Sequence, residues 1–284
     1  MNNESNNSKS MKGLLESHGF KFSKSMGQNF LIDANIPEKI VRLSEITKEY
    51  GVLEVGPGIG ALTRELSLAA GMVTCVELDE TVLPILAVEL EGFENVKVIQ
   101  GDILKADINK LLNDNFSGYK PCVCANLPYN ITSAAVSKLI DSGQFEFITV
   151  MVQREVALLM CASPKSSDYS AFSVYINYFT KPSILFDVPP ECFMPRPKVH
   201  SAVVKMKMRD TLPLGQDDQK RFFKVVKAAF GQRRKTLVNA LYSTYSRTKS
   251  KEEITEIITS CGFDPKIRGE TLGIDEFIQI SEKM

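Results

Sequence analysis

Val52-Leu53-Glu54-Val55-Gly56-Pro57-Gly58-Ile59-Gly60-Ala61 is the stretch from which the fold can be read. A short apolar run that stops at glycines is a buried strand turning sharply into the next element, because glycine lets the backbone bend and pass close to a neighbour. From Ile59 to Ala70 apolar residues then recur at helical spacing. Working outward, Val73 to Glu77 reads as a second strand, followed by a helix from Thr81 to Glu91. Val96 to Ile99 gives a third strand, Cys122 to Ala125 a fourth with a helix at Ala134 to Ile140, and Ile148 to Val152 a fifth with a helix at Val156 to Met160. This βαβα rhythm is that of a mostly parallel, doubly wound α/β sheet covered on both faces.

The rhythm changes further along. Tyr175 to Phe179 and Ser201 to Met208 read as strands with no helix between them, an antiparallel pair closing the sheet. Thr211-Leu212-Pro213-Leu214-Gly215 is a linker, and the remainder is helical, with apolar faces at Phe222, Phe223, Val226 and Phe230, at Ile254, Ile257 and Ile258, and at Phe277, Ile278 and Ile280. The expected organisation is a disordered tail at residues 1–9, an α/β domain at 10–210 and a small all-α domain at 211–284.

The chain has 284 residues, 44% hydrophobic and 24% charged, which suits a sizeable core plus a smaller appended domain. No apolar stretch approaches the roughly 18 residues of a membrane span, and the opening MNNESNNSKS lacks the apolar core of a secretory signal. A membrane partner is therefore excluded, and a cytoplasmic monomer is expected. Lys and Arg number 34 against 34 Asp and Glu, a balance that weighs slightly against nucleic acid, although an average conceals patches. The six cysteines are scattered, and Cys122 and Cys124 face one side of a strand as small buried hydrophobes. His18 and His200 lie far apart with no cysteine cluster near them, so no metal site is expected.

In a doubly wound sheet the ligand sits beyond the carboxyl ends of the strands. Gly56 and Gly58 end the first strand, and Glu77 ends the second, about twenty residues on, where a carboxylate can accept from both hydroxyls of a ribose. Gly101-Asp102 follows the third strand, where Asp102 can reach an adenine amino group or serve as a helix N-cap; Asn126-Leu127-Pro128-Tyr129 follows the fourth, either as a site or as a polar loop with a proline turn. Taken literally, Gly56 to Ala61 also fits the G-x-G-x-x-A loop of nicotinamide and flavin enzymes. Glu54, a carboxylate inside an apolar strand, is a further hint of a ligand.

These residues, taken in order, resemble the ribosomal RNA adenine dimethyltransferases. The resemblance runs through Gln28-Asn29-Phe30-Leu31, Glu54 to Gly60, Glu77, Gly101-Asp102, Asn126-Leu127-Pro128-Tyr129-Asn130-Ile131, Phe193-Met194-Pro195-Arg196-Pro197-Lys198-Val199, Ser201 to Val204, Phe230 to Leu237 and Arg268 to Leu272. It implies a Rossmann-like S-adenosylmethionine-dependent methyltransferase sheet with a small helical C-terminal domain. By the same resemblance Asn29 and Leu31 close over S-adenosylmethionine, Gly56 and Gly58 run along its methionine part, Glu77 holds its ribose, Asp102 its adenine, and Asn126 borders both cofactor and substrate.

The implied reaction dimethylates the exocyclic amine of two adjacent adenosines in a 3′-end hairpin of small-subunit (16S) ribosomal RNA, within a pre-assembled small subunit. That amine is a poor nucleophile because its lone pair is delocalised into the ring. Accepting its hydrogens at the Asn126 side-chain oxygen and at the Leu127 or Pro128 carbonyl would favour a pyramidal nitrogen, so orientation rather than acid–base chemistry supplies the catalysis. The base must leave its stack; Tyr129 offers one aromatic face and Phe193 matches the family's opposite face, unless Phe193 is a core aromatic beside a loop. The family often continues Asn-Leu-Pro-Tyr-Asn-Ile with Ser-Thr-Pro, where this chain has Thr132-Ser133-Ala134, with Ser133 expected to cap the next helix.

From Lys220 to Lys251 the chain carries ten basic residues and no Asp or Glu. Such a run is ordinarily a solvated face, but after a base-methylating site its densest part, Arg233-Arg234-Lys235, is expected to border an RNA groove. The segments at Phe230 to Leu237 and Arg268 to Leu272 favour the small-subunit branch over a resistance-type methylase of one large-subunit (23S) adenine. A non-catalytic RNA-binding assembly or transcription factor is the third reading, and an intact Asn126 to Tyr129 argues that catalysis is retained. A nicotinamide oxidoreductase is set aside for want of a hydride-transfer acid.

Overall fold

The glycine-ended strand is β2 (Tyr50–Val55), and its neighbours form a sheet in the order β4-β3-β2-β5-β6-β9-β7. The computed structural model describes residues 29–284; the expected tail at 1–9, His18 and Gln28 lie outside them. In chain order the α/β part comprises β1 (Phe30–Leu31), α1 (Asn35–Ser44), β2, α2 (Ala61–Ala69), β3 (Met72–Glu77), α3 (Leu83–Glu89), β4 (Val96–Gln100) and α4 (Ile108–Asn115). It continues with β5 (Lys120–Asn126), α5 (Thr132–Asp141), β6 (Phe147–Gln153) and α6 (Arg154–Cys161). Then come α7 (Ala171–Phe179), β7 (Thr180–Val188), β8 (Phe193–Met194) and β9 (Ser201–Met208).

Pairing is parallel from β4 through β3, β2 and β5 to β6, and β9 runs antiparallel to β6 with Ser201 opposite Gln153. Val52, Leu53, Cys122, Val123, Ile148 and Val150 are fully buried, as expected where helices cover both faces of a parallel sheet. From β2 the chain winds outward through β3 and β4, then returns to β5 on the other side of β2. The order therefore reverses between β2 and β5, which leaves a crevice at their carboxyl ends. A separate ribbon pairs β1 with β8, Phe30 opposite Met194 and Leu31 opposite Phe193.

The segment Tyr175 to Phe179, expected to be a strand, is the end of α7, and the strand follows it as β7. Aromatic and β-branched residues suggest extended chain, but Ser170 starts a helix through a reciprocal capping box with Ser173. Val174 and Tyr178, four apart, then share one buried face.

The chain divides into two units: the described residues up to Ala157 with Ser183–Met208, and Leu158–Pro182 with Arg209–Met284. Residues 158–182, expected in the α/β domain, therefore pack with the helical part. The Tyr169 hydroxyl donates to the Leu272 carbonyl at 2.9 Å, and the Tyr178 ring lies 5.0 Å from that of Phe222. The rest of this unit is α8 (Gln216–Gly231), α9 (Leu237–Tyr245), α10 (Lys251–Ser260) and α11 (Ile274–Lys283). Phe222, Val226, Leu241, Ile254, Ile258, Phe277 and Ile280 form its core. Among the described residues no helix is long and apolar enough to cross a membrane.

Phe222 is fully buried at the centre of this core. Phe222→Ala should destabilise the helical unit by about 3–5 kcal/mol, the usual cost of emptying a large buried aromatic site. Thermal melting followed by circular dichroism would show the loss as an earlier transition.

Candidate active site

The carboxyl ends of β2, β3, β4 and β5 surround one cavity, lined by Asn29, Leu31, Glu54, Gly56, Gly58, Glu77, Leu78, Asp102, Ile103, Asn126, Pro128 and Tyr129 among others. Every cofactor residue expected from the sequence is present, together with three of the four expected catalytic residues. The backbone explains why the loop must be glycine. Gly58 has φ +58°, and a Cβ there would stand 2.9 Å from the Phe30 ring. Phe30 in turn packs with Ile59, Val82 and Ile85, which fixes β1 over the loop.

The first loop amide is already committed. Gly58 N–H donates to Glu77 Oε2 at 3.2 Å, and Asp79 N–H donates to Glu77 Oε1 at 2.8 Å. Asp102 Oδ1 accepts from the Leu104 amide at 2.9 Å, so it caps a turn and lines the cavity at once. Asn126 donates from Nδ2 to the Asn29 carbonyl at 3.3 Å. That bond sets the amide plane and leaves Oδ1 as the atom able to accept a ligand hydrogen. The Tyr129 hydroxyl shares a 2.7 Å hydrogen bond with Ser201 Oγ.

Three expectations change here. The Pro128 carbonyl already accepts from Ile131 N–H and from Thr132 Oγ1, both at 3.2 Å. It is thus bound up in the start of α5, and Leu127 is the better carbonyl for a ligand. Thr132 performs this anchoring, while Ser133 lies inside α5 and makes no cap. Phe193 does not line the cavity; it is 3% exposed and packs in the core with Leu31, Val188 and Cys192. In β8 alternate residues face opposite ways, and Phe193 takes the inward side.

Electrostatically the cavity is one-sided. Glu54, Glu77 and Asp102 line it, and no Lys or Arg does among the described residues. Burial pushes the Glu54 carboxyl up to about 7, opposed by the Cys75 thiol, which donates to Oε2 at 3.4 Å. Burial also raises Glu77, against the lowering effect of the Asp79 and Gly58 amides. Glu54 keeps its proton up to about pH 7, so Glu77 and Asp102 leave the cavity with carboxylates and no lining Lys or Arg among the described residues, which disfavours phosphate and suits a cation. Glu54 is a hint in the sequence; Leu78 and Ile103 escape a sequence reading, although each directly follows an expected ligand residue.

In the helical unit, Arg233-Arg234-Lys235 lies in the connection between α8 and α9. Arg233 Nε donates to Glu270 Oε2 at 2.9 Å and its Nη2 to the Ser167 carbonyl at 2.5 Å. It is therefore engaged within the unit, whereas Arg234 and Lys235 are exposed.

Residues 19–280 match the family model described as ribosomal RNA adenine dimethylase. The chain is 43% identical over 273 residues to ribosomal RNA small subunit methyltransferase A of Bacillus pumilus, covering 95% of this chain and 94% of that one. Its counterpart in Geobacillus kaustophilus is 42% identical over 276 residues, with 96% and 94% covered. Among solved structures, the 23S rRNA methyltransferase ErmE superposes with TM-score 0.69 at 25% identity, covering 90% and 99% of the two chains. A dimethyladenosine transferase from Plasmodium falciparum shares the fold, with TM-score 0.74 at 24% identity over 88% and 95%.

The raised Glu54 makes a stability prediction. Folded, the group keeps its proton up to about pH 7; unfolded, it releases it near its ordinary value of 4.5. Its contribution is thus fully present below the unfolded value and is lost as pH rises through the folded one. Glu54→Gln removes this loss. Relative to the parent it should gain on the order of 2–3 kcal/mol between pH 5 and 8 in urea denaturation, and a pH-independent difference would show that Glu54 ionises normally.

Proposed function

The chain belongs to the ribosomal RNA adenine dimethylase family, and we propose that it uses S-adenosylmethionine to dimethylate two adjacent adenosines in the 3′-end hairpin of small-subunit ribosomal RNA. The observation that carries the cofactor assignment is the cavity lined by Glu54, Glu77 and Asp102 without a Lys or Arg among the described residues. A pyrophosphate-bearing dinucleotide has no cation to meet there, and the Gly58 amide that would cradle it is bonded to Glu77. A ligand carrying a sulfonium and an ammonium suits the same charges. When bound, S-adenosylmethionine supplies an electrophilic methyl group on sulfur.

Glu77 is placed to accept from the ribose hydroxyls, and Asp102, with Leu78 and Ile103 beside it, to hold the adenine. Asn29 and Leu31 cover the cavity from β1. On the substrate side, Asn126 Oδ1 and the Leu127 carbonyl accept the hydrogens of the target amine, turning its lone pair toward the methyl. Tyr129 stacks on the flipped base, a contact worth about 1–3 kcal/mol. Phe193 joins as a second face only if β8 shifts from its buried position. No group need remove a proton before transfer, because the leaving thioether is neutral and the extra proton departs to water.

Arg234 and Lys235 supply phosphate contacts in the helical unit. The large-subunit alternative is set aside, since the likeness to the 23S enzyme is 25% in identity against 43% for the small-subunit relatives. A cytoplasmic monomer acting on a partly assembled small subunit completes the reading.

Small ribosomal subunits lacking the modification, incubated with labelled donor and followed by mass mapping of the product adenosines, test it directly. Asn126→Ala should still bind donor and particle while transfer falls about 100-fold, the scale expected when a reacting group is mispositioned. Normal transfer by that variant removes Asn126 from the mechanism. Arg234→Ala/Lys235→Ala should lower the slope of log affinity against log salt by roughly 1.4–1.8 for two lost phosphate contacts. An unchanged slope moves the RNA path elsewhere.

A further inference from the structure

The hydrogen bond between Tyr129 and Ser201 links two pieces of chain that the strand order keeps apart. Tyr129 sits in the loop after β5, half-buried, and lines the cavity. Ser201 is the first residue of β9, fully buried and held in register opposite Gln153 of β6. Its hydroxyl meets the Tyr129 hydroxyl at 2.7 Å, the usual length of a good O–H···O bond. The loop bearing Tyr129 is irregular, so the ring has no ladder of its own to fix it. β9 does, being paired along its length with β6.

We infer that Ser201 is a positioning residue for methyl transfer: it pins the tip of Tyr129 to the sheet and thereby sets the plane on which the target base stacks. A ring hinged only at its Cα and Cβ would sweep an arc, and the stacked base would move with it. Tethering the far end removes that freedom before substrate arrives, so it lowers the cost of reaching the reactive alignment rather than adding affinity. Ser201 touches neither substrate nor cofactor and reaches the reaction through Tyr129 alone.

The inference rests on the stacking role proposed for Tyr129. A double-mutant cycle on the full-length protein separates the two, using unmodified small subunits, labelled donor, and donor binding measured by calorimetry. Ser201→Ala and Tyr129→Phe should each lower kcat by roughly two- to tenfold, the weight of one hydrogen bond, with KM for the particle and donor affinity unchanged. The double variant should be no worse than either single one, and Ser201→Thr, which keeps the hydroxyl, should restore the rate. Additive losses, a wild-type rate for Tyr129→Phe beside a slow Ser201→Ala, or failure of Ser201→Thr in a protein that melts normally would each overturn the inference. Tyr129→Ala transferring at the wild-type rate would instead remove the stacking reading itself, and the role of Ser201 with it.

Discussion

The bond from the Gly58 amide to the Glu77 carboxylate, 3.2 Å across the ends of β2 and β3, is the contact on which the site depends. A glycine loop leading into a helix is ordinarily a phosphate cradle, because its amides point outward and the helix dipole adds to them. Here the amide faces a side chain of the protein itself. The carboxylate is thereby fixed at the position proposed for the ribose, and the loop loses its appetite for anions. Glu54 beneath and Asp102 beside it extend the same bias. No Lys or Arg lines the cavity among the described residues, the exposed Lys105 ammonium meeting Asp102 at 3.8 Å from outside that lining, so the cavity is short of the positive charge that the proposed sulfonium donor carries.

Much of this is legible in the sequence because strand ends are read from hydrophobic runs that stop abruptly. Val52 to Val55, Val73 to Glu77 and Cys122 to Ala125 each show themselves that way, and each carries a site residue at its end. The hidden part depends on long-range packing. The two-residue strands β1 and β8 have no period to detect, yet their pairing brings Asn29 to Asn126 and takes Phe193 into the core. The Tyr175 to Phe179 segment misleads because β-branched and aromatic residues raise strand propensity, while the deciding signal is the Ser170 cap just before it.

The same limit applies to charge. Arg233-Arg234-Lys235 is one dense run on paper, but the fold sorts it. Arg233 is bent back to Glu270 and the Ser167 carbonyl, and its two neighbours are left outward. A residue that ties the α8–α9 connection to the rest of its unit works through geometry, not through Debye-screened attraction to a phosphate. Lys220 and Arg221 are similarly met by Asp217 and Asp218 one turn earlier on α8, which the absence of acids after Lys220 conceals.

In the proposed arrangement a neutral amide, that of Asn126, stands against the target amine in place of a carboxylate, with a consequence for how far the reaction runs. An adenosine enters with two N–H groups, one for Asn126 Oδ1 and one for a backbone carbonyl. The first methylation removes one donor and the second removes the other, so each step weakens the hold by about one hydrogen bond, on the order of 1 kcal/mol. The singly methylated amine can still be oriented by the bond that remains. The dimethylated amine offers these acceptors nothing, and two desolvated oxygens are left facing a methyl group. Retention of the intermediate and expulsion of the product thus follow from counting hydrogens, with no moving part required.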